Sequence, residues 1–369
     1  MNTFQLNVKD IRKQLKSVLK CVNVSSVLPI LSCVLVEIGN KKIKFTVSDL
    51  ETFCIVEYDL DVDFTDNFLL NAKKFSNFIS NSISDIITVE LNNATIKFIL
   101  SEFKISFKKD KNETRDSYPK TPSFDNEVPS LTISGIELIT KLNRALPFLS
   151  KDDLRPAMTG VYFHSEEGQL NICSTDAHRL YFEKVKTVQN NKSKYDFILP
   201  NKSSRLLLSS IGKPDVAFYI SNNNIKFVSD NVTITSRFVD TKFPQYQSIL
   251  VKNENSVFLK RSQLYSLICL SVLFSDSSTK QTKVSIDKNS LSFSGGGIDV
   301  EETFEYSIPA YNKSNADSIL TLAFNSVFVK QIIQLDKKEE FVKIDYSDSP
   351  TRAIIINDKY LIMPLMLNN

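Results

Sequence analysis

The feature that most constrains the fold is an internal repeat with a period of about 125 residues. Each repeat contains two helix-like segments, and apolar strand-like runs lie between them. The six helix-like segments begin near Phe4, Phe68, Leu131, Phe197, Val257 and Leu320. Strand-rich sequences can resemble themselves by chance, but the same order of landmarks recurring three times favours three similar domains. We place these domains at residues 1–127, 128–252 and 253–369.

The segments between the helices indicate antiparallel sheet. The run LPILSCVLVEIGNKKIKFTVSD from Leu28 is rich in β-branched residues and is interrupted by Gly, Asn and Asp, which is typical of strands joined by hairpins. Only 8 glycines occur in the chain, and none lies in a GxGxxG or Walker motif, which disfavours a dinucleotide-binding βαβ fold. The prediction is an α+β protein in which each domain packs two helices on antiparallel sheets.

Length and composition point to a multidomain protein of the cytoplasm. A chain of 369 residues exceeds the size of a single hydrophobic core. The five cysteines show no CxxC spacing, which suits a reducing compartment. No apolar run approaches the roughly 18 residues of a membrane span, and the N-terminus lacks a signal-peptide pattern. We therefore expect a soluble protein that does not bind membranes.

Candidate catalytic residues are few. His164 lies near the end of a strand-like run and is interpreted as a turn residue, whereas His178 lies beside Asp176 in STDAHRLYF. A hydrolase could use Asp176 to orient His178, but no GxSxG motif or zinc-ligand spacing accompanies the pair. We expect no catalysis, no cofactor and no metal. A β-rich scaffold protein that binds no nucleic acid is a further possibility.

Basic residues collect on one side of the first helix. At about 100° per residue, Val8, Ile11 and Leu15 fall on one arc, and a row of cations falls on the other. Such a surface attracts phosphates without reading sequence. The residues expected to face DNA, including those on later helices, are Lys9, Arg12, Lys13, Lys16, Lys20, Lys73, Lys141, Arg144, Lys202 and Arg205.

Six motifs then carry a family resemblance over the whole chain. In chain order they are LPILSCVLVEI from Leu28, TVSDLE from Thr46, DLRPAMTG from Asp153, STDAHRL from Ser174, RFVDTKFPQY from Arg237 and YLIMPL from Tyr360. They resemble the bacterial β sliding clamps, the processivity subunits of DNA polymerase III. The resemblance implies the DNA clamp fold, a head-to-tail homodimeric ring around double-stranded DNA, and no enzymatic activity.

The resemblance also implies two protein-binding surfaces. Partners would be the catalytic subunit of DNA polymerase III, the clamp loader, and other polymerases and repair proteins that carry short clamp-binding peptides. Carried over by motif, the peptide pocket comprises Arg155, Met158, Thr175, Ala177, His178, Arg179, Leu180, Pro244, Ile249, Leu361, Met363, Pro364 and Leu365. The dimer interface would comprise Lys74, Phe78, Lys104, Val272, Leu273, Phe274, Glu301, Glu302 and Glu305.

Overall fold

The computed structural model describes residues 2–22, 28–82, 84–100, 104–109, 115–124, 128–166, 169–185, 188–189, 194–250, 252–296, 303–312 and 319–367. The chain folds into two compact units. The first unit comprises Met1–Leu142, Phe163–Leu170 and Val185–Asp240. The second unit comprises Asn143–Tyr162, Asn171–Lys184 and Thr241–Asn369.

Six α-helices occur in the described part of the chain. They are α1 Val8–Val18, α2 Ala72–Asn81, α3 Gly135–Ala145, α4 Asn201–Ser210, α5 Arg261–Phe274 and α6 Ser326–Leu335. The helix-like segments assigned from the sequence began too early. Phe4 and Leu6 are both buried at alternate positions of a strand, and α1 begins only after Asn7, whose side chain accepts a hydrogen bond from the Lys9 N–H.

The strands of the first repeat are β1 Asn2–Asn7, β2 Cys33–Gly39, β3 Lys42–Ser48, β4 Thr52–Asp59, β5 Asp66–Asn71, β6 Ile86–Leu91, β7 Thr95–Ile99 and β8 Lys104–Lys108. Those of the second are β9 Leu131–Ile133, β10 Gly160–Glu166, β11 Gln169–Thr175, β12 Arg179–Val185, β13 Val188–Gln189, β14 Asp196–Pro200, β15 Val216–Ile220, β16 Asn224–Ser229 and β17 Val232–Arg237. Those of the third are β18 Asn255–Lys260, β19 Gln281–Ile286, β20 Ser290–Gly296, β21 Thr303–Pro309, β22 Tyr311–Asn312, β23 Leu320–Asn325, β24 Phe341–Tyr346, β25 Ile354–Ile356 and β26 Tyr360–Ile362.

The element order repeats three times along the described residues. Each repeat reads strand, helix, four strands, helix, three strands, and only the two-residue strands β13 and β22 are additions. This agreement confirms the α+β fold class, with two helices in each repeat.

Two complete antiparallel sheets lie in the first unit, which also holds β14. One has the order β1-β6-β7-β8, and the other has the order β13-β9-β15-β16-β17-β4-β3-β2-β5. The β17–β4 pairing runs from Val232↔Val56 to Ser236↔Thr52, so it joins a strand of the second repeat to a strand of the first. The interior includes stacked aromatic rings such as Phe45 on α2's Phe75, with centroids 5.9 Å apart.

The second unit follows the same plan. Its strands include the run β12-β26-β25-β24-β18-β22 and the four-stranded sheet β21-β20-β19-β23. The β12–β26 pairing joins the second repeat to the third, with Arg179 opposite Ile362 and Tyr181 opposite Tyr360. None of the described helices is long and apolar enough to cross a membrane.

Candidate functional site

The basic side of α1 is exposed. Val8, Ile11 and Leu15 are at most 2% exposed, whereas Lys13 and Lys16 lie in the solvent. Lys9 and Lys20 are exposed in the same way, and Arg12 is half-buried with Nη2 donating to the Ser84 carbonyl at 3.2 Å. The helix therefore presents a cationic surface over an apolar one.

The later helices are less uniform. Lys73 on α2 and Arg205 on α4 are exposed, and Arg205 Nε donates to the Asn201 side chain at 2.8 Å. The ammonium group of Lys202 is partly engaged within the protein, because its Nζ pairs with Asp49 and donates to the Cys21 carbonyl.

Two cations expected to face DNA have internal partners instead. Lys141 is 9% exposed, with Nζ 4.0 Å from the Glu137 carboxylate one turn earlier on α3. Arg144 lies 3.1 Å from Glu183 and 3.0 Å from Asp336. Both side chains are paired within the protein, and a contact of either one with DNA stays a prediction.

The STDAHRL turn joins β11 to β12 and is fixed by hydrogen bonds. Asp176 Oδ1 accepts the main-chain N–H of His178 at 3.1 Å and of Arg179 at 3.0 Å, and Oδ2 accepts Arg179 Nε at 2.8 Å. Thr175 Oγ1 donates to the Arg179 carbonyl and accepts the Ala177 N–H. Ala177 has φ 76°, a left-handed conformation that costs energy in a non-glycine residue. Asp176 thus shapes the turn through the main chain of His178, which is not the contact that a catalytic Asp–His pair would need.

The C-terminal segment lies beside this turn. After β26, the Met363 N–H donates to the His178 carbonyl at 2.9 Å, and the Leu365 N–H donates to the Ala323 carbonyl at 2.8 Å. Met363 is 39% exposed, while Pro364 and Leu365 are half-buried. The STDAHRL turn and the C-terminal segment bonded to it form a main-chain frame. Met363, Pro364 and Leu365 are partly exposed apolar side chains along this frame.

Two other segments carry the remaining residues of the predicted pocket. Arg155 and Met158 flank a short turn whose Met158 carbonyl accepts the Ser150 N–H at 2.9 Å. Pro244 and Ile249 flank Tyr246, which hydrogen-bonds the thiol of Cys173 on β11. Burial raises the pKa of that thiol to about 12, although the Tyr246 bond acts in the opposite direction.

All thirteen predicted pocket residues lie in the second unit. Nine of them are exposed or half-buried. The buried four are Thr175, Arg179, Leu180 and Leu361. These four side chains are buried in the fold, so the other nine are the ones available to line the predicted pocket.

Arg179 has an unexpected setting for a residue predicted to bind peptide. Its guanidinium carbon lies 4.9 Å from the ring centroid of Phe148 and 4.4 Å from that of Phe328. Nη1 donates to the Gln331 side chain, and Nη2 donates to the Pro147 carbonyl at 2.8 Å. Its N–H groups are thus used internally, so Arg179 holds other residues in place.

Phe328 was missed by the sequence analysis. The centroid of its ring lies 6.5 Å from that of the His178 ring and 4.4 Å from the guanidinium carbon of Arg179. One signal could have revealed it: the first turn of α6 carries Val327 and Phe328 in succession, and Val327 is 39% exposed. Consecutive apolar residues that do not both enter the core often mark a contact surface.

The first unit contains a copy of the pocket's main-chain frame. In the turn between β3 and β4, Asp49 Oδ1 accepts the Thr52 N–H at 2.6 Å, and the Leu50 N–H donates to Ser48 Oγ at 3.0 Å. Leu50 has φ 79° and occupies the place of Ala177. The last residue of β17 completes the copy, because the Arg237 N–H donates to the Glu51 carbonyl at 2.9 Å.

Side chains distinguish the two frames. In the first unit, Thr52 and Ser203 occupy the places of Arg179 and Phe328. The Ser203 hydroxyl lies 3.1 Å from the Thr52 hydroxyl and accepts a hydrogen bond from Ser236 at 2.7 Å. Short hydroxyls therefore close the first frame, whereas an arginine between two aromatic rings builds the second.

Two protein-family models match this chain. The model for the N-terminal domain of the DNA polymerase III beta subunit matches residues 2–116, and that for the central domain matches residues 134–245. Together these matches cover more than half of the chain. The chain belongs to the DNA polymerase III β subunit family.

Curated relatives within this family are similar over their full length. The beta sliding clamp of Haemophilus influenzae is 23% identical, and the alignment covers 99% of this chain and 100% of the relative. The beta sliding clamp of Pseudomonas aeruginosa is also 23% identical, with coverage of 99% and 100%.

Solved β subunit structures share the fold. The DNA polymerase III subunit beta of Pseudomonas aeruginosa aligns with a TM-score of 0.88 at 19% identity, covering 99% of this chain and 100% of that one. The β subunit of Thermotoga maritima aligns with a TM-score of 0.86 at 16% identity, with the same coverage. A sliding clamp of Pseudomonas aeruginosa bound to griselimycin aligns with a TM-score of 0.89 at 19% identity, covering 99% of each chain.

Proposed function

We propose that two copies of this chain form a closed head-to-tail ring around duplex DNA in the cytoplasm, and that the ring tethers the replicative polymerase. In this proposal the chain has no catalytic activity, and its domains are residues 1–127, 128–252 and 253–369. The observation that carries the proposal is a pair of complementary sheet edges, one in each unit.

The first edge is β8, the terminal strand of the sheet β1-β6-β7-β8. Ile105 and Phe107 are half-buried on one face of this strand, whereas Lys104 and Lys108 are exposed on the other. A terminal strand presents main-chain N–H and C=O groups that can pair with another strand. The charge on this edge is positive.

The second edge is β21, the terminal strand of the sheet β21-β20-β19-β23. Phe304 and Tyr306 alternate with the exposed Glu305. Phe304 contacts Phe274 at the end of α5, with centroids 6.4 Å apart, and Leu273 beside it is 74% exposed. This edge is therefore apolar and acidic, which complements the β8 edge.

Of the residues predicted for the dimer interface, Lys74, Lys104, Leu273, Phe274 and Glu305 are exposed, and Val272 is half-buried. Phe78 differs, since it is 9% exposed and its ring lies 5.0 Å from Phe98 and 6.3 Å from Phe107. It supports the β8 edge from within its own subunit. Glu301 and Glu302 lie outside the described residues.

The basic helices suit a protein that slides. The cationic face of α1 belongs to the same unit as Arg205 and Lys73, and α1 packs on α4, with the Ser17 hydroxyl donating to the Ser209 carbonyl at 2.9 Å. Screened attraction to phosphates fixes no sequence register. Double-stranded DNA is the partner we propose for this surface.

The pocket frame suits short peptides. Met363, Pro364, Leu365 and Ile249 present an adaptable apolar surface, and exposed His178 and Arg155 supply polar contacts. We propose that the polymerase III catalytic subunit, the clamp loader, other polymerases and repair proteins bind here through short peptides.

Retention on circular DNA tests ring closure. After loading on nicked circles by the clamp loader and ATP, the protein is expected to stay bound at about 1 M salt, where electrostatic reach is only about 3 Å. Linearising the circle is expected to shorten its residence at least about 10-fold, because a closed ring leaves only over a free end. The measurement is gel filtration of labelled protein with the DNA. Equal residence on circles and linear DNA contradicts the proposal.

The salt dependence of DNA binding tests the α1 surface. Replacing Lys13 and Lys16 with Gln is expected to flatten the slope of log K against log salt by about 1.8, since each lost phosphate contact contributes about 0.9. Fluorescence anisotropy with a labelled duplex measures the slope. A matched variant with Lys42→Gln and Lys120→Gln, two exposed lysines elsewhere in the first unit, is expected to keep it. An unchanged slope in the α1 variant would show that the basic side of α1 does not contact DNA.

A further inference from the structure

We propose that Arg144 is a positioning residue for the peptide pocket. Together with Arg179, it fixes α6 against the segment that ends α3, and it thereby holds the pocket in its binding-competent form. This inference rests on the proposed peptide-binding function of the pocket.

Arg144 forms the first of two arginine contacts with α6. Nη1 lies 3.1 Å from Glu183 Oε2 on β12, and Nη2 lies 3.0 Å from Asp336 Oδ1 directly after α6. The Asp336 side chain is only 2% exposed and also accepts hydrogen bonds from Tyr360 Oη at 3.2 Å and Asn357 Nδ2 at 3.0 Å. Arg144 thus connects the end of α3, β12 and the end of α6.

Arg179 forms the second contact between the same two segments. It donates to the carbonyl of Pro147, just after α3, and to the side chain of Gln331 in the middle of α6. Its guanidinium also lies between Phe148 and Phe328, one ring from each segment. Two arginines therefore hold α6 at two points along its length.

The two contacts are linked through the β12–β26 pair. The Phe148 ring stacks on Tyr360 with centroids 5.6 Å apart and planes 12° apart. Tyr360 lies opposite Tyr181, whose hydroxyl donates to Glu183 at 2.8 Å. Two residues away from this pair, Arg179 of β12 lies opposite Ile362 of β26, and the C-terminal segment begins after Ile362. A shift of α6 at Asp336 would therefore reach the pocket.

Arg144 keeps its positive charge in this setting. Burial alone would lower its pKa, but the carboxylates of Asp336 and Glu183 raise the pKa above its usual value. The guanidinium is planar and donates to both carboxylates at once while it keeps its positive charge. Loss of this bridge leaves Asp336 with its Tyr360 and Asn357 bonds and with Lys359, whose Nζ lies 3.7 Å from Oδ2, so we expect the subunit to fold with a less restrained α6.

A less restrained α6 lowers the fraction of molecules whose pocket is ready to bind. The apparent dissociation constant rises in inverse proportion to that fraction. Peptide affinity is thus expected to depend on a residue that does not line the pocket.

The test compares Arg144→Met, Arg144→Lys and the control Arg115→Met in the full chain; Arg115 pairs with Glu37 in the first unit, with Nε 2.7 Å from Oε1. The probe is a fluorescent peptide copied from the clamp-binding segment of the polymerase III catalytic subunit, and anisotropy gives its Kd. Arg144→Met is expected to raise the Kd about 10-fold, and Arg144→Lys, which keeps a charge for Asp336, is expected to recover most of that loss. Arg115→Met is expected to leave the Kd unchanged.

A second variant separates positioning from general damage. Asp336→Asn removes the other end of the bridge, and combining it with Arg144→Met is expected to add little further loss, because both changes break one contact. The inference is overturned if Arg144→Met binds the peptide like the wild type, or if Arg144→Lys loses as much affinity as Arg144→Met. The same holds if the affinity losses of Arg144→Met and Asp336→Asn multiply in the double variant. It is also overturned if Arg144→Met flattens the DNA salt slope. Failure of the wild type to bind the peptide would instead refute the proposed function, and this inference with it.

Discussion

A Leu273→Asp variant is expected to be monomeric at concentrations where the wild type is a dimer. Leu273 is 74% exposed within the subunit, so the substitution costs little in folding. In the proposed ring, however, it places a carboxylate in an apolar contact beside Phe274, at a cost of about 3 kcal/mol. A two-subunit ring has two such interfaces, so the dimer is weakened by about 6 kcal/mol, or about 10⁴-fold.

Sedimentation equilibrium of the 41.9 kDa chain measures this effect. Val128→Asp is the matched control, since Val128 is 62% exposed and lies in neither edge. The control is expected to stay dimeric, and both variants are expected to melt within about 2 °C of the wild type. A Leu273→Asp chain that remains dimeric would show that the β21 edge and the end of α5 are not the interface.

Deleting residues 363–369 is expected to reduce peptide affinity more than 100-fold while the chain stays folded. The deletion removes Met363, Pro364 and Leu365 from the proposed pocket. It also removes the main-chain bonds to His178 and Ala323, each worth about 1 kcal/mol, which a typical domain can lose without unfolding. Anisotropy with the labelled polymerase peptide measures affinity, and circular dichroism follows folding.

A deletion that begins two residues earlier is expected to behave differently. Leu361 and Ile362 are 1% and 0% exposed and pair with β12, and losing such side chains costs about 2–5 kcal/mol each. That shorter chain is expected to unfold in its second unit. The control for the binding result is Arg237→Ala, the position in the first frame that corresponds to Met363, and it is expected to leave affinity unchanged. Full peptide binding after deletion of 363–369 would place the pocket elsewhere.

Periodicity explains why so much of the fold was predictable. The buried series Val8, Ile11 and Leu15 has a helical period, and so the basic face opposite it followed directly from the sequence. The helix starts were misplaced because Phe4 and Leu6 are apolar in either element. Only the cap at Asn7 separates strand from helix there.

The roles of single cations were harder to predict, because they depend on partners that are distant in sequence. Lys16 and Arg144 both lie on helices next to apolar residues, yet Lys16 is exposed and Arg144 binds Glu183 and Asp336. No local sequence feature indicates that the fold brings the Asp336 carboxylate of another repeat to Arg144. Phe328 escaped notice for the same reason, since its importance arises from the arginine beside it.

The shared frame of the two units bears on the ancestry of the chain. Leu50 keeps the left-handed conformation of its counterpart Ala177, although it is a bulky residue for which that conformation costs roughly 1–2 kcal/mol. The hydroxyls of Thr52 and Ser203 close the first frame, so the same turn persists there beside side chains unlike Arg179 and Phe328. We infer that an ancestral repeat already had this turn before it was duplicated, and that main-chain geometry has outlasted the side chains around it.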